Sequence, residues 1–234
     1  MRARNCILVV LAMLVTTGAF ASEHVILLHG LCRTKHSMSR MEAELIGMGY
    51  RVLNVDYASR TSSISELADT VIPEAVAECR AQGATIIHFV THSLGGILVR
   101  SYVARHSLPE LGRVVMLAPP NQGSEVVDIL GRLWIFGVIN GPAGRELGTG
   151  MNSTPNKLGP AEFPLGIIAG NRSINLINSL FIRGRDDGKV SVEKTKIGGM
   201  TDHVVLPTAH PFLMRNRQAI RQTIHFLHNA AFDY

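Results

Sequence analysis

Apolar and polar residues along this chain follow two alternating rhythms. Short runs of apolar, often β-branched residues read as buried strands, and stretches with apolar residues three and four apart read as helices. Strand runs fall at His24–Leu28, Arg51–Val55, Thr85–Val90, Arg113–Leu117, Leu165–Ala169 and His203–Leu206. Between the first two, Met38, Met41, Leu45 and Met48 mark a helix with Gly49 as its C′ cap, and the methionines read as core packing. Ser63-Ile64-Ser65-Glu66 is a capping box that opens a helix carrying Ile64, Leu67, Val71, Ala75 and Val76. Pro73 inside it predicts a kink or two short helices, because proline lacks the N–H that the helix ladder needs. A last helix from Pro211 places Leu213, Ile220, Ile224 and Leu227 on one face. Strands alternating with helices predict a mostly parallel sheet of about six strands, covered on both faces. No repeat interrupts the pattern.

One stretch breaks the alternation. Residues 123–164 form an insertion between two strands. Val126–Asn140 is rich in large apolar residues, among them Leu130, Leu133, Trp134, Ile135 and Phe136. The second half is rich in Gly, Pro and Asn and reads as loop. Over the carboxyl edge of the sheet such a segment makes a cap or lid; alternatively it is a helix packed on the core. The two differ in whether Trp134 and Phe136 face the candidate chemistry.

Composition narrows the class. The chain is 46% hydrophobic and 18% charged, so it can bury a sizeable core within one domain. Aromatic residues make up 6%, and the formal net charge is +5, of which Arg2 and Arg4 near the start account for two and leave +3. Neither figure favours a nucleic-acid partner. Arg215, Arg217 and Arg221 lie together on the last helix and read as a solvated face. The first residues, Met1-Arg2-Ala3-Arg4-Asn5, are basic; Cys6–Phe20 is apolar; Ala19-Phe20-Ala21 is a small-x-small cleavage signature. Residues 1–21 therefore read as a secretory signal peptide, and 22–234 as the mature domain, periplasmic or secreted. The apolar run is short for a membrane span, although an uncleaved, membrane-tethered form is the alternative. Cys6 lies too far from the cleavage signature to be a lipid-attachment cysteine. Cys32 and Cys79 fall at opposite ends of the sheet and are expected as free thiols.

Ile87-His88-Phe89-Val90-Thr91-His92-Ser93-Leu94-Gly95-Gly96-Ile97-Leu98-Val99 carries the strongest chemical signal. An apolar strand ends in a polar turn, and an apolar helix follows at once. A serine at such a turn is strained and exposed, and the two glycines let the helix pass close beneath it. The segment nearly matches G-x-S-x-G, with Thr91 in place of the first glycine; the bland alternative is a loop with a serine cap. A nucleophilic serine needs a base and an acid. Candidates follow in chain order: the acidic turn Arg185-Asp186-Asp187-Gly188-Lys189-Val190, then His210 on a loop after a late strand. His92, His203, His225 and His228 are weaker bases by position. His92 adjoins the serine and is expected to point elsewhere. Asp186 rivals Asp187. No spacing of Cys, His and Asp suits a metal, no Gly-rich loop suits a phosphate, and no cofactor is expected.

His29-Gly30, Thr91-His92-Ser93-Leu94-Gly95-Gly96, Pro119-Pro120-Asn121-Gln122-Gly123-Ser124, Asp187-Gly188-Lys189-Val190 and His210, in that order, resemble the α/β-hydrolase superfamily. More closely they resemble its small bacterial lipase/esterase branch, which pairs an H-S-x-G-G elbow with P-N-x-G-S and D-G-x-V segments. The resemblance spans nearly the whole chain after the leader. It implies the α/β-hydrolase fold and a serine hydrolase acting on carboxylic esters through an acyl-enzyme, with export expected from the leader. Ser93 is then the expected nucleophile, His210 the base and Asp187 the acid. Backbone N–H groups of Leu31 and Leu94 are expected to form the oxyanion site. His29 orders its loop. A small-molecule or lipid ester is the expected substrate, and transient contact with a lipid interface is among the expected partners. An acyltransferase or thioesterase on the same triad, or a silent binding module on this fold, are the alternatives.

Overall fold

The computed structural model describes residues 22–234; the expected leader, residues 1–21, lies outside the described residues. Its elements run β1 (Glu23–Leu28), α1 (Ser39–Gly47), β2 (Arg51–Val55), α2 (Ile64–Ala81), β3 (Ile86–His92), α3 (Leu94–Val103) and β4 (Leu111–Leu117). The insertion supplies α4 (Glu125–Leu130), α5 (Trp134–Arg145) and α6 (Thr154–Lys157). Then come β5 (Leu165–Gly170), the short α7 (Leu176–Ser179) and α8 (Val192–Thr195), β6 (Asp202–Leu206) and α9 (Arg217–Asn229). The six strands form one parallel sheet in the order β2-β1-β3-β4-β5-β6. Each expected strand is present, within two residues of its expected bounds.

The sheet has two cores because side chains alternate across it. Val25, Leu27, Val90, Val115 and Leu117 face α1 and α9. Ile26, Leu28, Phe89, Val114 and Met116 face the other way, against α2 and α3. Central strands buried on both faces explain their continuous apolar runs. The edge strands β2 and β6 are half-buried.

Several local expectations are corrected. Met38 and Met41 are fully buried, but Met48 is exposed, because Gly49 turns the chain away with φ +91°. The helix α2 runs unbroken through Pro73. Its reciprocal Ser63–Glu66 cap starts it, and burial of Val71, Ile72, Ala75 and Val76 on both sides of the proline holds one axis. The Gly/Pro-rich half of the insertion is partly helical: α5 continues past a break at Gly141, and α6 carries Pro155 in its first turn. Gly141 has φ +68°, and a Cβ there would run into the backbone carbonyl of Arg60. The chain can bend there only without a side chain. The last helical stretch is two pieces, a 3-10 turn over His210–Arg215 and then α9, whose Asn216 cap accepts from Gln218 N and Ala219 N. Cys32 is exposed and Cys79 buried, both as free thiols. Arg215, Arg217 and Arg221 are exposed.

Candidate active site

Ser93 sits where β3 gives way to α3, with φ 52° and ψ −115°. Non-glycine residues held there carry strain of roughly 1–3 kcal/mol, so the surroundings must enforce the turn. Ser93 N donates to Leu117 O at 2.9 Å, which pins the turn to the neighbouring strand. The two glycines behind it are required by contact. A Cβ on Gly95 would lie 2.7 Å from the Leu28 carbonyl oxygen, and one on Gly96 would lie 3.0 Å from Met116 Sδ. The helix thus passes close against β1 and β4 and leaves Ser93 at the carboxyl edge.

Asp187 and His210 arrive from separate connections. Asp187 lies on the turn between β5 and β6, and His210 on the loop after β6. His210 Nδ1 and Asp187 Oδ2 are 2.8 Å apart, with side-chain exposures of 10% and 0%. The carboxylate only accepts, so Nδ1 carries the proton and Nε2 keeps its lone pair. The backbone reinforces the pair, since His210 N donates to Asp187 O at 2.9 Å. The other carboxylate oxygen accepts from Lys189 N at 3.0 Å and Val190 N at 2.9 Å. Gly170, ending β5, makes room: a Cβ there would lie 2.9 Å from the Asp187 Cβ. Asp186 faces away, its Oδ1 accepting from Ser179 Oγ and Gly188 N, both at 2.7 Å.

Ser93 and His210 line one cavity of about 280 Å³. Its walls include Leu31, Val126, Val127, Phe136, Leu147 and Val190, and its charged members are Arg33 and Lys189. Leu31 follows the His29-Gly30 pair at the end of β1; Leu94 is the first residue of α3. Among the described residues, neither backbone N–H has a hydrogen-bond acceptor. His29 holds the Leu31 loop: its Nδ1 lies 2.9 Å from Gly30 O, its ring stacks on Tyr57 at 4.1 Å, and Tyr57 OH donates to His29 O at 2.6 Å. Burial raises the Tyr57 hydroxyl pKa, so it remains a donor. Of the apolar insertion residues, Phe136 lines the cavity, whereas Leu133 and Trp134 are exposed at 52% and 73%. Of Trp134 and Phe136, which distinguish a lid from a helix packed on the core, only Phe136 therefore faces the candidate chemistry.

Two residues were missed from sequence. His92 does not point away: it is buried, it lines the same cavity, and its ring lies 4.7 Å from that of His210. Its Nε2 donates to His210 O at 3.1 Å, which leaves Nδ1 unprotonated and facing Gly30. Burial lowers its pKa well below the ordinary value, and the adjoining His210 lowers it further, so it stays neutral. Arg100 is the second. It is buried, and its guanidinium donates to Asn121 O and Oδ1, Pro155 O and Gly159 O at 2.9–3.1 Å. Burial lowers its pKa to about 10, so it remains charged at neutral pH. Asn121 in turn donates to Thr195 O at 2.8 Å, and Ser124 Oγ to Lys189 O at 2.6 Å. The Pro-Asn-Gln-Gly-Ser segment is therefore a strap between α3 and the acidic turn. A lone arginine within the apolar run of α3 was its signal. Among the described residues, no cluster of side chains suits a metal ion.

No family model matches the chain, and no curated protein matches it in sequence. Solved structures do match. A mature-form lipase of Bacillus licheniformis, BlEst2, has 17% identity and a TM-score of 0.75, over 88% of this chain and 92% of that one. A thermophilic esterase from Thermogutta terrifontis has 17% identity and a TM-score of 0.54, over 88% and 90%. The phospholipase PlaB of Legionella pneumophila has 20% identity and a TM-score of 0.60, over 74% of this chain and 45% of that chain. Together with the parallel sheet, these likenesses show an α/β-hydrolase fold.

Proposed function

We propose that this chain is an exported serine hydrolase that cleaves carboxylic esters, with Ser93 as nucleophile, His210 as base and Asp187 as the acid that orients it. The observation that carries this reading is the buried Asp187–His210 pair, 2.8 Å apart, beside a cavity that Ser93 and His210 share. Lipases and esterases among the solved structures with this fold support it further, and the basic, apolar leader with its cleavage signature supports export.

The proposed steps use these residues as follows. Ser93 Oγ attacks the ester carbonyl while His210 Nε2 takes its proton; a free hydroxyl is too weak a nucleophile without that base. Negative charge develops on the carbonyl oxygen, and the Leu31 and Leu94 N–H groups are free to receive it. Each such donor contributes on the order of 3 kcal/mol to the transition state. The protonated His210, held by Asp187, gives its proton to the departing alkoxide. Water then attacks the acyl-enzyme, again with His210 as base, and releases the acid and Ser93. The neutral His92 adds no competing charge beside the imidazolium and holds the His210 backbone in place.

The test is Ser93→Ala. The purified variant is expected to keep its thermal transition and lose roughly four or more orders of magnitude in kcat on a soluble ester. A fluorophosphonate probe is expected to label the wild type and not the variant. Near-normal turnover by folded Ser93→Ala protein sinks the assignment.

A further inference from the structure

The segment 171–185 carries a surface that the proposed chemistry leaves unused. Leu176, Ile177 and Leu180 are 74%, 70% and 81% exposed, and Ile174 beside them is exposed too. Apolar side chains this open, grouped on one short turn, are not core residues at the margin. Arg172, Arg183 and Arg185 flank them, all exposed, and the stretch Asn171–Arg185 contains no acidic residue.

The patch is attached to the candidate site. Asn178, buried at the foot of α7, donates from Nδ2 to Gly188 O at 2.9 Å, and Ser179 Oγ donates to Asp186 Oδ1 at 2.7 Å. The patch therefore stands on the turn that bears Asp187. Lys189 and Val190, next along that turn, line the cavity. On the cap, Trp134 and Val138 are also exposed, on the same helix whose Phe136 and Asn140 line the cavity. Arg132 is exposed beside Trp134.

We propose that the α7 turn is a docking surface for an anionic lipid–water interface, with Leu176, Ile177 and Leu180 entering the acyl boundary and Arg172, Arg183 and Arg185 meeting the headgroups. Charge decides the occupant. Exposed apolar residues flanked in sequence by three exposed arginines complement a negative surface, and the nearest acid, Asp186, is half-buried and accepts from Ser179 and Gly188. A folded protein partner is a poorer fit, because specific interfaces need roughly 20 residues a side, and this is one turn. Among the described residues, no helix is long and apolar enough to cross a membrane, so the contact is at the surface. Docking there brings the cavity to an ester held in the lipid layer, and in that respect the inference rests on the proposed ester hydrolysis.

The experiment is vesicle co-sedimentation of Ser93→Ala protein, which keeps the lipid intact. Vesicles of phosphatidylcholine with phosphatidylglycerol are compared with phosphatidylcholine alone, at low and high salt. Binding is expected to the anionic vesicles, weakened by salt. Leu176→Ser/Ile177→Ser/Leu180→Ser is expected to lose about tenfold or more in partitioning, and Arg172→Gln/Arg183→Gln/Arg185→Gln to lose the preference for anionic lipid. Both triple variants, with Ser93 restored, are expected to keep their thermal transitions and their kcat/KM on a soluble acetyl ester, which separates docking from folding and chemistry. Equal binding by the serine triple variant, no binding to anionic vesicles, or salt-independent binding to both lipids overturns the proposal. So does a dimer in solution that the serine variant dissolves, since the turn is then a self-contact. A wild type that binds vesicles but hydrolyses no ester overturns the proposed function and leaves the docking surface standing.

Discussion

At the residue scale, the two adjacent carboxylates of the Asp186-Asp187 pair serve different partners. Asp187 is fully buried and meets His210 Nδ1; Asp186 accepts from Ser179 and Gly188 and shapes the turn. Asparagine at 187 presents an amide where the imidazole needs an acceptor, which favours the wrong tautomer. Asp187→Asn is therefore expected to lower kcat on a soluble ester by about four orders of magnitude. Asp186→Asn should lower it by no more than about tenfold, the scale of one altered hydrogen bond. Steady-state kinetics of the two purified variants check this, and the reverse ranking moves the acid to Asp186. Sequence alone favoured Asp187 through the Gly that follows it. The expected partner was His210, 23 residues on; the 2.8 Å distance between them is set by how the turn between β5 and β6 packs against the loop after β6.

At the element scale, the insertion divides its apolar residues between two surfaces. The helix α5 begins at Trp134, and its period turns Phe136 and Asn140 inward and Trp134 and Val138 outward. On the proposed ester hydrolysis, acyl-chain preference is expected to depend on Phe136. Burying a methylene is worth about 0.8 kcal/mol, or roughly fourfold in kcat/KM while the chain still gains cavity wall. From acetyl to medium-chain soluble esters the wild type is expected to rise by up to that factor per methylene. Phe136→Ala should flatten the rise, and Trp134→Ala should leave its slope unchanged. A slope that changes with Trp134 and not with Phe136 refutes this division. The apolar richness of Val126–Asn140 was plain in sequence. Which side chain faces the cavity was not, because a helix broken at Gly141 sets its rotation by contact with Arg60 and the Leu31 loop.

At the scale of the whole molecule, His29, His88 and His92 are all but fully buried, and burial is the largest cause lowering each pKa below the ordinary 6.5. In the unfolded chain each takes up a proton near pH 6.5; in the fold each takes it up only at lower pH. The stability they permit is complete above pH 6.5 and is lost as pH falls toward the depressed folded values. Each such histidine removes up to about 1.4 kcal/mol per pH unit in that window. Calorimetry is expected to find a flat Tm between pH 7 and 8 and a steep fall between pH 6.5 and 5. A Tm that holds or rises on acidification contradicts the buried, neutral state of the three.

The chain's own pattern determined the parallel sheet, the strand bounds, the capped α2 and the strand–turn–helix at Ser93, because these rest on side-chain period and on neighbours a few residues apart. Tertiary structure decided the rest. It carried α2 straight through Pro73, since packing on both sides of the proline outweighs one lost hydrogen bond. It turned His92 into the cavity, against the expectation from its position beside Ser93, because the His210 carbonyl and the space over Gly30 receive its ring. It buried Arg100 on carbonyls of Asn121, Pro155 and Gly159, from two separate segments, and it left Leu176, Ile177 and Leu180 without cover. Apolar residues read alike in a sequence whether they are to be buried or exposed. Only the placement of every other element says which of them finds a partner.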